Sequence, residues 1–208
     1  MEQPRISGIF ADPVVQRTFR DPTKSEQNKY EELFVCDCSD NTGNLRSVDS
    51  YVFRNNPELN EIHDFCVNSI NEMAREVYKP TSDLNFYITQ SWLNITNTGG
   101  WHHEHSHPNS LLSGVFYIST VKDDRIHFHD ETMHNRFLQQ FPTEDYQSFN
   151  SSMFWFNVNN QELVMFPSYL RHSVPRNETK QTRVSISFNT WVKGTLGSEL
   201  NLTELIME

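Results

Sequence analysis

The run Arg183-Val184-Ser185-Ile186-Ser187-Phe188-Asn189-Thr190-Trp191-Val192 alternates apolar and polar side chains. A period of two marks a strand with one buried face. Val184, Ile186 and Phe188 fall on one side, and Arg183, Ser185 and Ser187 on the other. Upstream, Leu84 to Ile95 alternates in the same way, Leu111 to Val121 is a near-continuous apolar run containing Gly114, and Ile126 to His129 is a short strand. Phe154 to Val158 and Glu162 to Phe166 read as a hairpin about Asn159-Asn160. Residues 132 to 150 form an irregular polar insertion, a candidate lid over the barrel mouth.

The N-terminal part has a different period. Asn56-Pro57-Glu58 opens a helix: Asn caps, Pro takes the first helical position, and Glu favours the positive end. Leu59, Ile62, Cys66, Ile70, Met73 and Val77 recur every three or four residues as one apolar face, and Lys79-Pro80 ends it. Residues 18 to 31 read as loop, 49 to 53 as a short strand about Val52 and Phe53, and 198 to 206 as a short helix starting at Ser198. One helix followed by many short strands predicts a mainly β jelly-roll with a helical buttress. The 208 residues suit a single domain, with the helix of 57–78 packed on a core of 84–193.

A net charge of −10 argues against nucleic acid or an anionic membrane as partner, because both are themselves negative. No stretch approaches 18 apolar residues, and Met1 to Phe10 lacks the pattern of a secretion signal. The three cysteines, Cys36, Cys38 and Cys66, then fit reduced thiols in a cytoplasmic protein, and the sequons at Asn94, Asn177 and Asn201 are fortuitous. Cys36-Asp37-Cys38 resembles half of a metal site, but no second pair follows it.

The chemistry concentrates in His102, His103, His105 and His107. Extended backbone sends residues i and i+2 to the same face, so His105 and His107 offer a pair of imidazoles to one metal ion. His-x-His alone is weak, since a solvated His-rich loop has the same pattern. Some 65 residues later, Phe166-Pro167-Ser168-Tyr169-Leu170-Arg171-His172 places one more His at the start of a strand, and a jelly-roll brings such distant strands together. Arg183 follows eleven residues after His172, with Ser185 beside it. An arginine fork next to a hydroxyl suits a carboxylate, and a carboxylate one strand-length from a metal describes a keto-acid cosubstrate.

Gln90-Ser91-Trp92-Leu93-Asn94, His105-Ser106-His107-Pro108-Asn109-Ser110-x-x-Ser113-Gly114-Val115-Phe116-Tyr117, Phe166-Pro167-Ser168-x-x-x-His172 and Arg183-Val184-Ser185-Ile186-Ser187-Phe188-Asn189 together resemble an uncharacterised branch of the 2-oxoglutarate/Fe(II) oxygenase superfamily found in bacteria and bacteriophages. The resemblance runs from about residue 5 to 193 and implies a double-stranded β-helix, Fe(II), 2-oxoglutarate and O2. It implies His105, His107 and His172 as metal ligands and Arg183 as the binder of the distal carboxylate. Tyr117 and Ser185 would help Arg183, and Asn94 and Trp92 would line the cosubstrate pocket. The wider superfamily has His-x-Asp or His-x-Glu where this chain has His105-x-His107. Glu104 and Asp130 are the alternative sources of a carboxylate.

Two other readings compete. Gly99, five intervening residues and His105-x-His107, then Gln161, five intervening residues, Pro167 and His172, resemble a cupin with a three-His metal site. The Glu expected after three or four intervening residues is missing, because Leu111 and Leu112 stand there. A non-catalytic jelly-roll binding module is the other, with the histidines incidental or closed around a structural metal.

Overall fold

A computed structural model describes residues 11–33, 35–130, 144–145, 147 and 150–208. The expected lid over 132–150 lies almost wholly outside them. In chain order the elements are β1 (Val15–Thr18), α1 (Lys24–Leu33), β2 (Cys38–Asp40), β3 (Leu45–Ser47), α2 (Val52–Asn55), a 3-10 turn at Pro57–Leu59 and α3 (Asn60–Tyr78). Then come β4 (Asn85–Thr96), β5 (His102–His105), β6 (Leu112–Ser119), β7 (Arg125–His129), β8 (Met153–Asn157), β9 (Glu162–Pro167), β10 (Arg171–Val174), β11 (Arg183–Leu196) and β12 (Leu205–Met207). The major sheet runs β1-β9-β6-β11-β4-β3-β2, with β12 added to β11, and the minor sheet runs β5-β10-β7-β8. The paired strands are antiparallel, and the architecture is a jelly-roll.

Alternation along β11 organises this sandwich. Val184, Ile186 and Phe188 pack with Leu93 and Ile95 of β4, Phe116 of β6, Leu163 and Met165 of β9, and Ile62, Cys66, Ile70 and Met73 of α3. The helix thus covers one face of the major sheet. Val77 of its predicted apolar stripe lies in the last turn and is exposed. On the opposite face the register aligns rows of inward residues. Asn94, Ser185 and Tyr117 form one row, and Trp92, Ser187 and Val115 the next. A smaller core of Val115, Ile126, Phe128, Val164 and Phe166 joins the two sheets.

Gly114 sits opposite Phe188 in the β6–β11 register. A Cβ there would lie 2.2 Å from the Phe188 ring. Phe188 is fully buried and packs near Phe53, so the ring has no free space to enter. Gly114→Ala is expected to destabilise by about 1–3 kcal/mol through overpacking, read as a lower urea midpoint with an unchanged slope.

Four local expectations need correction. Residues 24–33 are helical rather than loop, and Thr23 and Glu26 form a reciprocal capping box: Glu26 N donates to Thr23 Oγ1 at 3.3 Å and Thr23 N to Glu26 Oε2 at 2.7 Å. The segment about Val52-Phe53 is a short helix, entered by Tyr51 N donating to Asp49 Oδ1 and held by Phe53 N donating to Ser91 Oγ. β8 and β9 are no hairpin: β8 pairs with β7 in the minor sheet, whereas β9 pairs with β6 and β1 in the major one. Asn159-Asn160 is therefore a crossing between layers. The C-terminal segment makes only a 3-10 turn at Glu199–Asn201, stopped by Leu202 in the left-handed region, and returns as β12 on β11.

Among the described residues no helix is long and apolar enough to cross a membrane. The three thiols are free, with Cys36 Sγ and Cys38 Sγ 3.2 Å apart.

Candidate metal centre

His105 ends β5 and pairs in register with His172 of β10. His107 follows β5 and is tied down by its N–H donating to Ser168 O at 2.9 Å. The ligand-capable atoms of His105, His107 and His172 all lie within 4.8 Å of one another, the only such group among the described residues. His107 Nε2 and His172 Nε2 are 3.2 Å apart, with their rings nearly parallel. Two cis ligands on one ion, each about 2.1 Å from it, would have a similar separation.

The outer nitrogens fix the tautomers. His105 Nδ1 donates to His103 O at 2.8 Å, and His172 Nδ1 donates to Leu170 O at 3.0 Å. A carbonyl only accepts, so each Nδ1 carries the proton and each Nε2 offers its lone pair. Asn189 hydrogen-bonds the His107 ring, and Ser113 Oγ donates to Asn189 Oδ1 at 3.1 Å. Trp92 stacks against the His107 ring at 5.7 Å. Burial, then the neighbouring imidazoles, push His107 down to about 4 and His172 well below the ordinary histidine range. Burial lowers His105 as well. The three rings are thus neutral at physiological pH, the form that binds a metal. This donor set fits a divalent iron ion.

Neither candidate carboxylate belongs to the group. Glu104 turns to the outer face of the minor sheet, where it accepts from Arg171 Nε at 2.6 Å and lies 3.6 Å from His129. Asp130 lies beyond the end of β7 and outside the three-His group. A register shift between His172 and Val174 breaks simple alternation in β5, and His102 comes to line the inner cavity with His105. Strict alternation would have sent it outward with Glu104.

That inner cavity lies between the sheets. Asn94, Tyr117, Arg183, Ser185, His105 and His172 are among its walls. The Tyr117 hydroxyl is fully buried and has no partner, an orphan donor suited to an anion. Asn94 Nδ2 donates to Ser187 Oγ at 2.8 Å. Arg183 is buried and already paired side-on: Nε donates to Asp124 Oδ2 at 2.8 Å and Nη2 to Asp124 Oδ1 at 2.6 Å. Asp124 was not legible in the sequence, where Asp123-Asp124 looks like an ordinary polar turn. Trp92 lies instead in an outer cavity of about 370 Å³ with His107, Gln90, Asn189, Arg46 and Asp40. His105 and His102 line both cavities.

Residues 90–189 match the family described as "Putative 2OG-Fe(II) oxygenase". No curated protein gives a significant match. HygX from Streptomyces hygroscopicus, crystallised with nickel and 2-oxoglutarate, is 12% identical over 86% of this chain and 82% of its own, with a TM-score of 0.57. A 2OG-Fe(II) oxygenase-family oxidoreductase from Burkholderia pseudomallei is 11% identical over 85% and 83%, with a TM-score of 0.54. A prolyl-4-hydroxylase from Pseudomonas putida is 10% identical over 86% and 92%, with a TM-score of 0.53. At these identities the likeness is one of fold. Through residues 90–189 the chain belongs to the 2OG-Fe(II) oxygenases. It is an oxidoreductase whose cofactor set is Fe(II), 2-oxoglutarate and O2, which sets aside the cupin and the non-catalytic binding module.

Proposed function

We propose that the protein hydroxylates a polar substrate, either a small molecule or a prolyl or other peptidyl residue. His105, His107 and His172 hold the iron, and Arg183 and Tyr117 receive the distal carboxylate of 2-oxoglutarate, with Ser185 beside them. The carrying observation is that two of the three converging imidazoles, His105 and His172, share one inter-sheet cavity with a buried cation and an unpartnered Tyr117 hydroxyl, while the third, His107, faces the outer cavity. When bound, iron and 2-oxoglutarate supply the oxidising chemistry: O2 and the keto acid become succinate, CO2 and the oxygen inserted into a substrate C–H bond.

The chain's own residues orient and enclose. The Nδ1 anchors of His105 and His172 keep two Nε2 atoms aimed inward. Trp92 stacks on the His107 ring and Asn189 hydrogen-bonds it, and together they fix its plane. The primary substrate enters the outer cavity, where Asp40, Arg46, Gln90 and Asn189 offer hydrogen bonds beside His105 and His107. That polarity supports a hydrogen-bonding substrate; one neighbour in fold, HygX, has been crystallised with hygromycin B. The net charge of −10 supports such a partner over nucleic acid or an anionic membrane.

The test is spectroscopic and chemical. Anaerobic addition of Fe(II) and 2-oxoglutarate should produce a visible charge-transfer band that neither gives alone. Admitting O2 should then release succinate. A protein that binds iron yet shows neither response removes this reading.

A further inference from the structure

We infer that Asp124 is a positioning residue for cosubstrate binding: it holds Arg183 side-on so that only the end-on edge of the guanidinium is offered to 2-oxoglutarate. The inference rests on the proposed role of Arg183. The Asp124 side chain is completely buried, and four donors converge on its carboxylate. Oδ1 accepts from Arg183 Nη2 at 2.6 Å and from Arg125 N at 2.9 Å. Oδ2 accepts from Arg183 Nε at 2.8 Å and from Val121 N at 3.3 Å. The Asp124 carbonyl in turn accepts from Val158 N at 3.0 Å. Backbone groups of the β6–β7 turn therefore fix the carboxylate, and the carboxylate fixes the arginine.

A guanidinium has two edges able to form a paired fork, and Asp124 occupies the one made by Nε and Nη2. On the remaining edge Nη1 has only a long contact, 3.5 Å, with Pro175 O. Tyr117, with its unpartnered hydroxyl, lines the same cavity. A second carboxylate arriving there meets donors already oriented, and the cation it meets was never left buried without a counter-charge. The arrangement has a testable sign. Were Asp124 only a nearby negative charge, removing that charge would tighten binding of a dianion. If Asp124 acts by position, removing it weakens binding, because an amide nitrogen in place of either oxygen would face one guanidinium N–H and one backbone N–H.

The experiment is a double-mutant cycle on Fe(II)-loaded protein under anaerobic conditions, with 2-oxoglutarate affinity read by calorimetry and by the charge-transfer band. Asp124→Asn should weaken 2-oxoglutarate at least tenfold while iron affinity is unchanged. In an Arg183→Gln background the same substitution should change affinity less than twofold. Equal or tighter binding in Asp124→Asn overturns the inference, as does a loss that adds in full in the Arg183→Gln background. A wild-type protein that binds no 2-oxoglutarate removes the cosubstrate reading itself. Should Asp124→Asn fail to fold, wild-type protein carrying Zn(II) still decides the matter. Its Arg183 Nε–H proton signal, assigned by its loss in Arg183→Lys, should stay in place and protected from exchange when 2-oxoglutarate is added. Displacement of that signal means that Arg183 exchanges Asp124 for the cosubstrate, and the inference falls.

Discussion

Arg183→Ala is expected to lose stability as well as 2-oxoglutarate binding, by about 3–5 kcal/mol, the usual cost of removing one partner of a buried ion pair. The Asp124 side chain is completely buried, and that of Arg183 is 4% exposed. Deleting the guanidinium leaves the carboxylate with two backbone N–H donors, from Val121 and Arg125, and no cation within the pair. It also opens a cavity at the end of β11, where Val184 and Ile186 carry the helix-facing core. Arg183→Lys should lose less stability, since a charge remains, yet it lacks the planar fork and should still bind 2-oxoglutarate weakly. Urea unfolding, together with a 2-oxoglutarate titration on the folded fraction, separates the two effects. An Arg183→Ala protein as stable as wild type would mean that the Asp124 pair contributes nothing to the fold.

This result also marks where the sequence stops being legible. Arg183, Ser185 and Ser187 were readable as one face because alternation is local, and the structure keeps that face on the inner side of the major sheet. The three histidines were readable because an i, i+2 pair and one later His are few choices for a jelly-roll to juxtapose. Asp124 was not, because its partner lies 59 residues away and a turn acid before a strand is ordinary. The inward turn of His102 was not legible either, for a different reason. A register shift in β5 changes which side chains point inward, and no residue type announces it. The β8–β9 error has the same origin: Asn159-Asn160 signals a turn but not the sheet the chain enters next. By contrast, α1 was missed despite a local signal. Its mean polarity hid the helix, whereas Thr23-x-x-Glu26 is a capping box.

His172→Ala is expected to abolish iron binding at this site, with a loss above about 100-fold, because even outer partners of metal ligands are worth 10–100-fold in affinity. The ring is 4% exposed and packs on Phe166 at 4.6 Å and on His105 at 4.4 Å, so no water-filled space stands ready to substitute for it. His105→Ala should match it, since His105 has the same carbonyl-anchored Nδ1. The informative comparison is His107→Ala against Glu104→Ala, measured by Fe(II) titration without oxygen. His107 Nε2 lies 3.2 Å from His172 Nε2, whereas Glu104 faces outward onto Arg171. His107→Ala should therefore lose iron and Glu104→Ala should retain it. His107→Asp should bind iron again, because it restores the carboxylate that the wider superfamily carries at this position. A charged ligand in place of a neutral ring lowers the net charge at the metal, so the charge-transfer band should shift relative to wild type. Loss of iron in Glu104→Ala with full retention in His107→Ala would transfer the third ligand position to the carboxylate and require β5 to turn over in the metal-bound protein.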